Sequence, residues 1–327
     1  GVMLLMISPI KKEVVKLIRG SVPVTNMIGC KILSNRITRP IFNYIYDNAS
    51  HRTCYWLVVL FDKSRIPKDF LWQVSFLGRT ILIPVLSGIQ RSWNNALILK
   101  FMNRGILRFY EFCVKHYSDG VFCDIGAGDG MDTYPFAIHG FTCISFEPQP
   151  TCTEYVRRSM MVNGFTNIKV EECALSDFVG EADLFLSDST WYSSFSEEFV
   201  EKAQGSPPKR ARIACNTLDR YCSANKIRPD IVKVDVEGHE WHVIRGGRQT
   251  ILDYRPAMVI ESQPYPVLNR ENIWRFFNSV GYRLYNTAFC RIKNEQDFIA
   301  DVDTNFIVLH GGYLCRLFEE SYCQFKR

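Results

Sequence analysis

Residues 121–130 read Val-Phe-Cys-Asp-Ile-Gly-Ala-Gly-Asp-Gly, and this stretch decides the fold of the 327-residue chain. Apolar residues with strand propensity lead into glycines at alternate positions, Gly126, Gly128 and Gly130. A buried parallel strand followed by a glycine turn and a helix lets the backbone approach a nucleotide-like ligand closely. Asp124 stands two positions before the first glycine, and its carboxylate would repel a pyrophosphate. The stretch therefore favours a ligand with a cationic amino-acid tail, such as S-adenosylmethionine.

A second acidic residue supports a nucleoside site. The next strand is predicted over Thr142 to Phe146, and Glu147 stands at its carboxyl end, 23 positions after Asp124. A carboxylate at this place in a nucleotide-binding α/β fold accepts the ribose hydroxyls. The glycines alone are also compatible with an ordinary turn, but together with Glu147 they favour a nucleoside-binding site.

Strands and helices alternate from this point onward. Helices are predicted over Asp132 to His139 and Cys152 to Met161, and a third strand over Ile168 to Cys173. The N-terminus of the first helix faces the predicted cofactor site, where the helix dipole favours a carboxylate. Ala174 and Asp177 follow the third strand, where an adenine ring would lie. The alternation predicts a parallel sheet with its ligand cleft at the carboxyl ends of the strands.

Residues 178–216 interrupt this alternation. They contain a short predicted strand, Leu184 to Leu186, and a basic, proline-containing loop, Gly205 to Arg212. An insertion at this point would overhang the cleft. We interpret it as a lid, an acceptor-binding loop or a plain surface loop.

A second group of charged residues lies within residues 231–240, Ile-Val-Lys-Val-Asp-Val-Glu-Gly-His-Glu. The pattern predicts a central strand that ends at Asp235, a glycine turn, and a helix over Glu240 to Leu252. Asp235, Glu237 and Glu240 are costly to hold together without a cation, a proton or solvent. They indicate either a divalent metal site or a carboxylate that accepts a proton from an acceptor hydroxyl. Glu237 as a turn residue and Glu240 as a helix N-terminal charge are the simpler interpretations.

The last part of the chain predicts the end of the sheet. A strand over Ala257 to Ile260 is followed by Glu261, another carboxylate at the same edge. A helix is expected near Asn272 to Val280, and two late strands over Tyr282 to Thr287 and Asn305 to His310. A reversed hairpin after five parallel strands is a methyltransferase arrangement.

Residues 1–110 are expected to form an accessory region of strands and helices, followed by a catalytic domain over residues 111–327. The accessory region shows no chemistry of its own. Its predicted elements are a buried strand over Cys54 to Phe61, a hairpin of Leu71 to Leu77 and Thr80 to Val85 joined by Gly78-Arg79, and helices over Ser92 to Asn103 and Ile106 to Tyr117.

The net charge of +5 lies entirely in the first 50 residues, because the remainder of the chain balances to zero. The catalytic part is therefore not basic, and nucleic acid is an unlikely partner on this ground. Ile10, Val14, Leu17 and Ile18 have helical spacing beside the basic residues. This helix could cover its own domain, bind a protein partner or a membrane surface, or be a remnant of a targeting segment.

The composition favours a soluble protein of a reducing compartment. The chain is 47% hydrophobic, and no apolar run approaches the roughly 18 residues needed to span a bilayer. Twelve cysteines occur with no C-x-x-C pair, which argues against a zinc ribbon or a redox motif. We expect a cytoplasmic protein, with the mitochondrion or another organelle as the alternative.

Six elements in this order resemble the FkbM family of class I S-adenosylmethionine-dependent methyltransferases. The resemblance covers roughly residues 115–265, and one departure is Gly128, where the family usually has Asn. The elements are Asp124-Ile-Gly-Ala-Gly-Asp-Gly130, Phe146-Glu147-Pro148, Ala174-Leu-Ser-Asp177, Thr217-Leu218-Asp219, Lys233-Val-Asp-Val-Glu-Gly-His-Glu240 and Pro256 to Glu261.

The resemblance implies a Rossmann-like class I methyltransferase fold, a mostly parallel seven-stranded sheet with helices on both faces. It also implies O-methylation of a hydroxyl on a sugar, glycan or small metabolite. A methyltransferase-fold scaffold subunit of a larger assembly is the competing interpretation. The residues expected to bind the cofactor are Asp124, Gly126, Ala127, Gly128, Gly130, Glu147, Ala174 and Asp177, and those expected to be catalytic are Asp235, Glu237 and Glu240.

Overall fold

The computed structural model describes residues 22–50, 53, 54, 57, 66, 68–101, 104–187, 193–263 and 267–322. The chain divides into two compact units, an N-terminal unit (Gly1–Met102) and a C-terminal unit (Asn103–Arg327). The basic helix expected near residues 10–18 lies outside the described residues. None of the helices in the described ranges is long and apolar enough to cross a bilayer.

The N-terminal unit is built on a two-stranded antiparallel hairpin. Alternate residues of its first strand are buried, and Trp72 packs edge-on against Trp93 with ring centroids 5.1 Å apart. Period-two burial of this kind places one face of a strand against a core. The elements of this unit are α1 (Val22–Ser34), α2 (Thr38–Asn48), β1 (Phe70–Phe76), β2 (Arg79–Val85) and α3 (Gln90–Phe101).

Two expectations for this unit require correction. Thr53, Cys54 and Leu57 are helical, so a strand over residues 54–61 is wrong at the described positions. A short apolar run has no periodicity that separates a strand from a helix. The hairpin turn is Leu77-Gly78, one position earlier than predicted, and φ is +45° and +78° at these residues. A two-residue turn of this type needs positive φ at both positions.

The C-terminal unit contains an eight-stranded sheet in which five neighbouring strands are parallel. Its central strands are short and nearly fully buried, as expected for a sheet that is covered on both faces. The strands are β3 (Val121–Ile125), β4 (Thr142–Phe146), β5 (Ile168–Glu171), β9 (Ile231–Val234), β10 (Ala257–Glu261), β11 (Tyr282–Asn286), β12 (Arg291–Ile292) and β13 (Asn305–His310).

The order of the strands across the sheet is β12-β11-β13-β10-β9-β3-β4-β5, and β13 runs antiparallel to both of its neighbours. This order confirms the predicted class I methyltransferase fold. The eighth strand, not expected from the sequence, is the two-residue β12 at one edge. β3 lies between β4 and β9, so the order in which strands are added to the sheet reverses beside β3. A reversal of this kind places a ligand crevice at the carboxyl ends of β3 and β9.

Helices cover both faces of this sheet. Phe122 of β3 stacks on Phe136 with ring centroids 4.1 Å apart, while Cys123 packs on the opposite face with Val243 and Ile244. The helices of the unit are α4 (Arg104–His116), α5 (Thr133–Ala137), α6 (Pro150–Asn163), α7 (Glu197–Gln204), α8 (Leu218–Asn225), α9 (Glu240–Gly246), α10 (Arg248–Tyr254), α11 (Val267–Ser279), α12 (Glu295–Ala300) and α13 (Tyr313–Tyr322).

The single helix expected over residues 240–252 is two helices, α9 and α10, which meet at Gly247. The adjacent Gly246 is required by a close backbone contact. A Cβ at Gly246 would lie 1.9 Å from the carbonyl oxygen of Ser176, so the helix backbone approaches another backbone closely. Paired glycines permit this contact and weaken the helix at the same place.

The insertion at residues 178–216 folds as part of a separate three-stranded sheet with the order β6-β8-β7. The basic loop expected over Gly205 to Arg212 is wrong from residue 209 onward, where the chain is a strand. Arg212 of that strand forms ion pairs across to Glu181 and Asp183, which explains basic residues in a strand. The strands are β6 (Ala174–Leu175), β7 (Gly180–Leu186) and β8 (Lys209–Asn216).

Candidate active site

The glycine turn after β3 is fixed by close backbone contacts. Gly126 has φ +80°, and its N–H donates to the carbonyl oxygen of Phe146 at 3.0 Å. A Cβ at Gly126 would lie 1.8 Å from the carbonyl oxygen of Asp235. Positive φ and this contact together require glycine. The turn after β3 therefore touches the turn after β9.

Glu147 is held beside the same turn. The side chain is 4% exposed, its Oε2 accepts the N–H of Gly128 at 2.8 Å, and its Oε1 accepts the N–H of Gln149 at 2.9 Å. The N–H of Ala127 donates to Phe146 at 3.1 Å. These contacts fix the orientation of the Glu147 carboxylate at the carboxyl end of β4.

Asp124 is a buried carboxylate with one unpaired oxygen. Its Oδ2 accepts the hydroxyl of Thr133 at 2.6 Å, but its Oδ1 has no hydrogen-bond partner and the residue is 1% exposed. Burial, reinforced by the charge of Asp132, raises the pKa of Asp124 to about 7. A buried acceptor without a partner costs about 1–3 kcal/mol. A cationic ligand group at Oδ1 would remove this cost, so the residue fits the ammonium of an amino-acid tail.

The remaining predicted cofactor residues fall on two different elements. A Cβ at Gly130 would lie 2.8 Å from the ring of Tyr134, whereas a Cβ at Gly128 would meet nothing within 4 Å. Ala174 is buried in β6, on the separate three-stranded sheet. Asp177 forms an ion pair with Arg245 of α9. The structure thus places Gly128 and Gly130 in the turn, whereas Ala174 lies in β6 and Asp177 follows it.

The ends of β9 and β10 bring three carboxylates together. Oxygen atoms of Asp235, Glu237 and Glu261 all lie within 4.8 Å of one another. Glu261 was recognised in the sequence as a carboxylate at this edge but was not among the expected site residues. Only the pairing of β9 with β10 shows that Glu261 stands beside Asp235, since 26 positions separate them in the chain.

Lys233 determines how protons are distributed within this acidic group. Its Nζ lies 2.7 Å from Asp235 Oδ2 and 3.3 Å from Asp132 Oδ2. Burial would raise the pKa of Asp235, but Lys233 and a hydrogen bond from Glu261 outweigh it and lower that pKa. Burial, followed by the charge of Asp235, raises the pKa of Glu261. Asp235 is therefore the ionised member of the pair, and Glu261 holds the proton between them.

The environment of Lys233 also includes residues that the sequence interpretation did not assign. The Tyr110 hydroxyl donates to Asp132 Oδ1 at 2.5 Å, so Asp132 joins α4 to the end of β9. Lys233 is the polar exception in the fully buried strand Ile-Val-Lys-Val. A lysine inside an otherwise apolar strand needs a buried partner. The single lysine in this apolar strand was the sequence feature that could have indicated a buried ionic partner for Lys233.

Glu240 is separate from the three clustered carboxylates. It is fully buried, its Oε1 accepts the N–H of Gly238 at 2.9 Å, and its Oε2 accepts the amide of Asn269 at 2.8 Å. Burial raises its pKa to about 7. Glu237 lies in the same turn with φ +50°, an uncommon conformation for a residue with a side chain. Glu240 thus fixes the turn that carries Glu237.

An aromatic stack borders the same turn. Phe195 and His242 lie on the two sides of His239, with ring centroids 4.3 and 4.1 Å away, and the ring planes deviate by 26° and 3°. Burial, together with His242, lowers the pKa of His239 to about 3, so this imidazole is neutral near pH 7. The hydroxyl of Ser194 donates to the carbonyl oxygen of Glu237 at 2.8 Å. The segment after β7 therefore contacts the carboxylate turn.

A family comparison identifies the domain. Residues 124–284 match the family model described as the methyltransferase FkbM domain. No curated protein sequence matches the chain.

Many solved structures are similar to the chain, among them three methyltransferases. One is the FkbM methyltransferase from Methylobacillus flagellatus KT, with 15% identity and a TM-score of 0.39 over 68% of this chain and 54% of that chain. The T. thermophilus 16S rRNA N2 G1207 methyltransferase, in complex with AdoMet and guanosine, has 11% identity and a TM-score of 0.39 over 74% of this chain and 50% of that chain. A putative methyltransferase from Streptococcus mutans, in complex with SAH, has 11% identity and a TM-score of 0.37 over 63% of this chain and 96% of that chain.

The chain thus spans about half the length of the Methylobacillus structure. The motifs quoted from the sequence and the matched residues coincide from Asp124 onward. Residues 124–284 of the chain are thus a methyltransferase FkbM domain.

Proposed function

We propose that the chain transfers the methyl group of S-adenosylmethionine to a hydroxyl oxygen of a sugar, a glycan or a small metabolite. The observation that carries this proposal is the contact between two turns. The glycine turn after β3 leaves no space for a side chain between Gly126 and the carbonyl oxygen of Asp235. A nucleoside-type cradle and a carboxylate cluster therefore lie at neighbouring strand ends.

Two acidic residues are proposed to hold the cofactor. Asp124 Oδ1 is the acceptor for an ammonium group, because it is buried and unpaired. Glu147 is the acceptor for ribose hydroxyls, because two backbone N–H groups fix the orientation of its carboxylate. Ala174 and Asp177 are proposed to border the adenine. The cofactor supplies an electrophilic methyl group on a sulfonium.

Asp235 is the proposed general base. An alcohol is a weak nucleophile until its proton is removed, and a positioned carboxylate accelerates such a step by about 10²–10⁴-fold. Lys233 keeps Asp235 ionised, so the carboxylate is ready to accept the hydroxyl proton. Glu237 is proposed to assist at the same strand end, and Glu240 to position it.

The charge of the carboxylate cluster favours a neutral acceptor. The ionised Asp235 would repel a phosphate, and the ammonium of Lys233 is already paired with Asp132 and Asp235. A polyol offers hydroxyl donors to such a cluster at no electrostatic cost. These charges support a sugar-like or small-molecule acceptor over a nucleic acid.

A divalent ion is the second candidate for activation of the acceptor. Three carboxylate oxygens within 4.8 Å are the type of ligand that hard cations prefer. The two mechanisms differ in their response to a chelator. Activity that survives EDTA supports Asp235 as the base, whereas activity that is lost with EDTA and restored by Mg²⁺ supports the ion.

The location of the protein is proposed from its cysteines. Thiols buried in the core strands, such as those of Cys123 and Cys143, support a reducing compartment, either the cytoplasm or an organelle such as the mitochondrion.

Calorimetric titration with S-adenosylhomocysteine tests the cofactor site. We expect wild type to bind, and Glu147→Gln and Asp124→Asn to bind at least about tenfold more weakly, because each removes a charge-assisted contact. Glu154→Gln is the matched control, since Glu154 is exposed on α6. A folded wild type that does not bind would contradict the proposal and favour the scaffold subunit.

A further inference from the structure

Helix α2 presents apolar side chains on two opposite faces. Its inner face carries Phe42, Asn43 and Tyr46, which are buried. The two polar groups there are satisfied: Asn43 exchanges two hydrogen bonds with the backbone of Gln73, and the Tyr46 hydroxyl donates to Leu97 at 2.6 Å. This face fixes the helix to the hairpin of the N-terminal unit.

The outer face is apolar where a surface helix is normally polar. Four apolar residues, separated by four, three and one positions, share this face. Between 51% and 74% of the surface of each is exposed. Such exposure leaves at least half of each side chain open to solvent. We call them the α2 apolar face: Ile37 (74%), Ile41 (56%), Tyr44 (70%) and Ile45 (51%).

Two cations lie near the N-terminal end of this face. Lys31 and Arg36 are exposed where α1 turns into α2, and Arg36 precedes Ile37 directly. Across the described residues of the N-terminal unit, seven Lys and Arg residues stand against two carboxylates, Asp47 and Asp69. Both carboxylates are engaged, one by Ser75 and Lys100 and the other by the N–H of Ser87.

We propose that the α2 apolar face binds the surface of an anionic membrane, with Lys31 and Arg36 at the lipid headgroups. An amphipathic helix with apolar residues on one side and cations at its margins lies in the interface of such a bilayer. The exposed charges of Lys31 and Arg36 complement anionic headgroups, so a lipid surface is the partner that matches both the apolar side chains and the charge. The α2 apolar face was not apparent in the sequence, because the buried Phe42 and Tyr46 alternate with its residues and hide their helical spacing.

Vesicle sedimentation tests the proposal with the full chain. Wild type is mixed with vesicles of phosphatidylcholine alone or with added phosphatidylserine. We expect binding to the anionic vesicles, loss of binding at high salt, and at least about tenfold weaker binding of the Ile41→Ser, Ile45→Ser double variant. Both substituted residues are exposed, so the fold should be retained.

The matched control replaces exposed apolar residues outside the proposed surface. Met161 and Val302, 76% and 92% exposed, lie in the C-terminal unit, and the Met161→Ser, Val302→Ser variant should bind vesicles as wild type does. A Lys31→Glu, Arg36→Glu variant should lose its preference for anionic vesicles.

Three results would overturn the proposal. Wild type that ignores anionic vesicles, or a double serine variant that binds like wild type, would each exclude the α2 apolar face as the contact. A dimeric wild type that becomes monomeric in the double serine variant, measured by light scattering, would make this face an interface between copies of the chain. Methyl-transfer activity is not needed for any of these measurements.

Discussion

Lys233 Nζ lies 2.7 Å from Asp235 Oδ2, and both groups stand at the carboxyl end of the central strand β9. The same ammonium lies 3.3 Å from Asp132, which precedes α5. One buried cation therefore joins the loop that follows the glycine turn to the carboxylate proposed as the base. The arrangement couples the stability of the domain to the charge state of the candidate active site.

Replacement of Lys233 by Met should lower the free energy of unfolding by about 3–5 kcal/mol, because two carboxylates would lose their buried partner. Urea unfolding measures this change. Lys202→Met is a control, since Lys202 pairs with Glu198 on the surface and should contribute little. Equal stabilities of the Lys233 variant and wild type would show that the ion pair is not needed for folding.

Asp235→Asn should reduce turnover by about 10²–10⁴-fold, because an amide cannot accept the acceptor proton. The affinity for S-adenosylhomocysteine should stay within about twofold of wild type, because the side chain of Asp235 is not among the proposed cofactor ligands. Radiolabelled methyl transfer and calorimetry measure the two quantities. The exposed Asp253→Asn serves as control, and an active Asp235 variant would reject this base.

Asp124 should make the domain less stable as pH rises from about 4 to about 7. The folded state keeps the proton up to a pKa of about 7, while the unfolded chain releases it near pH 4, so folding is favoured most at low pH. The effect is at most about 4 kcal/mol. Asp124→Asn removes it, and urea unfolding at pH 4.5, 6 and 8 should show a flatter profile. Parallel profiles would mean that Asp124 titrates normally.

Two glycines of the same turn should respond differently to substitution. Gly126→Ala combines φ +80° with a Cβ 1.8 Å from a backbone oxygen, so we expect a loss of at least about 3 kcal/mol or no folded protein. Gly128 has φ +52° and open space around its Cβ. Gly128→Asn should stay within about 1 kcal/mol of wild type, since Asn tolerates this conformation.

Thermal unfolding and S-adenosylhomocysteine titration compare these two variants. If Gly128→Asn is as stable as wild type, the glycine of this chain and the asparagine usual in the family are interchangeable at residue 128. A folded Gly126→Ala, or an unfolded Gly128→Asn, would contradict the geometry of the turn.

The sequence predicted the glycine turn, Glu147 and the parallel strands because their signals are local. Asp124 and the three glycines occupy seven consecutive positions, and the strand periodicities are read within a few residues. The cluster of Asp235 with Glu261 and the bridge from Lys233 to Asp132 could not be predicted in this way. They depend on which strands pair, and that choice depends on packing over the whole chain.

The errors have the same origin. Residues 54, 57 and 209–212 lack a local pattern that separates helix, strand and loop, so their conformation follows from tertiary contacts. The helix break at Gly247 reflects the close approach of Gly246 to Ser176, a contact invisible in one segment alone.

The pairing of β3 with β9 has a consequence for the order in which the protein folds. A hydrogen bond from the N–H of Val121 to Asp230 joins residues 109 positions apart. Strands β3, β4 and β5 can pair soon after they emerge, but the turn at Gly126 gains its backbone neighbour only when β9 arrives. Closure of so long a loop is entropically slow. A chain that ended before residue 231 would leave one edge of β3 unpaired. It would contain the glycine turn, but the turn would lack the backbone contact that fixes its conformation.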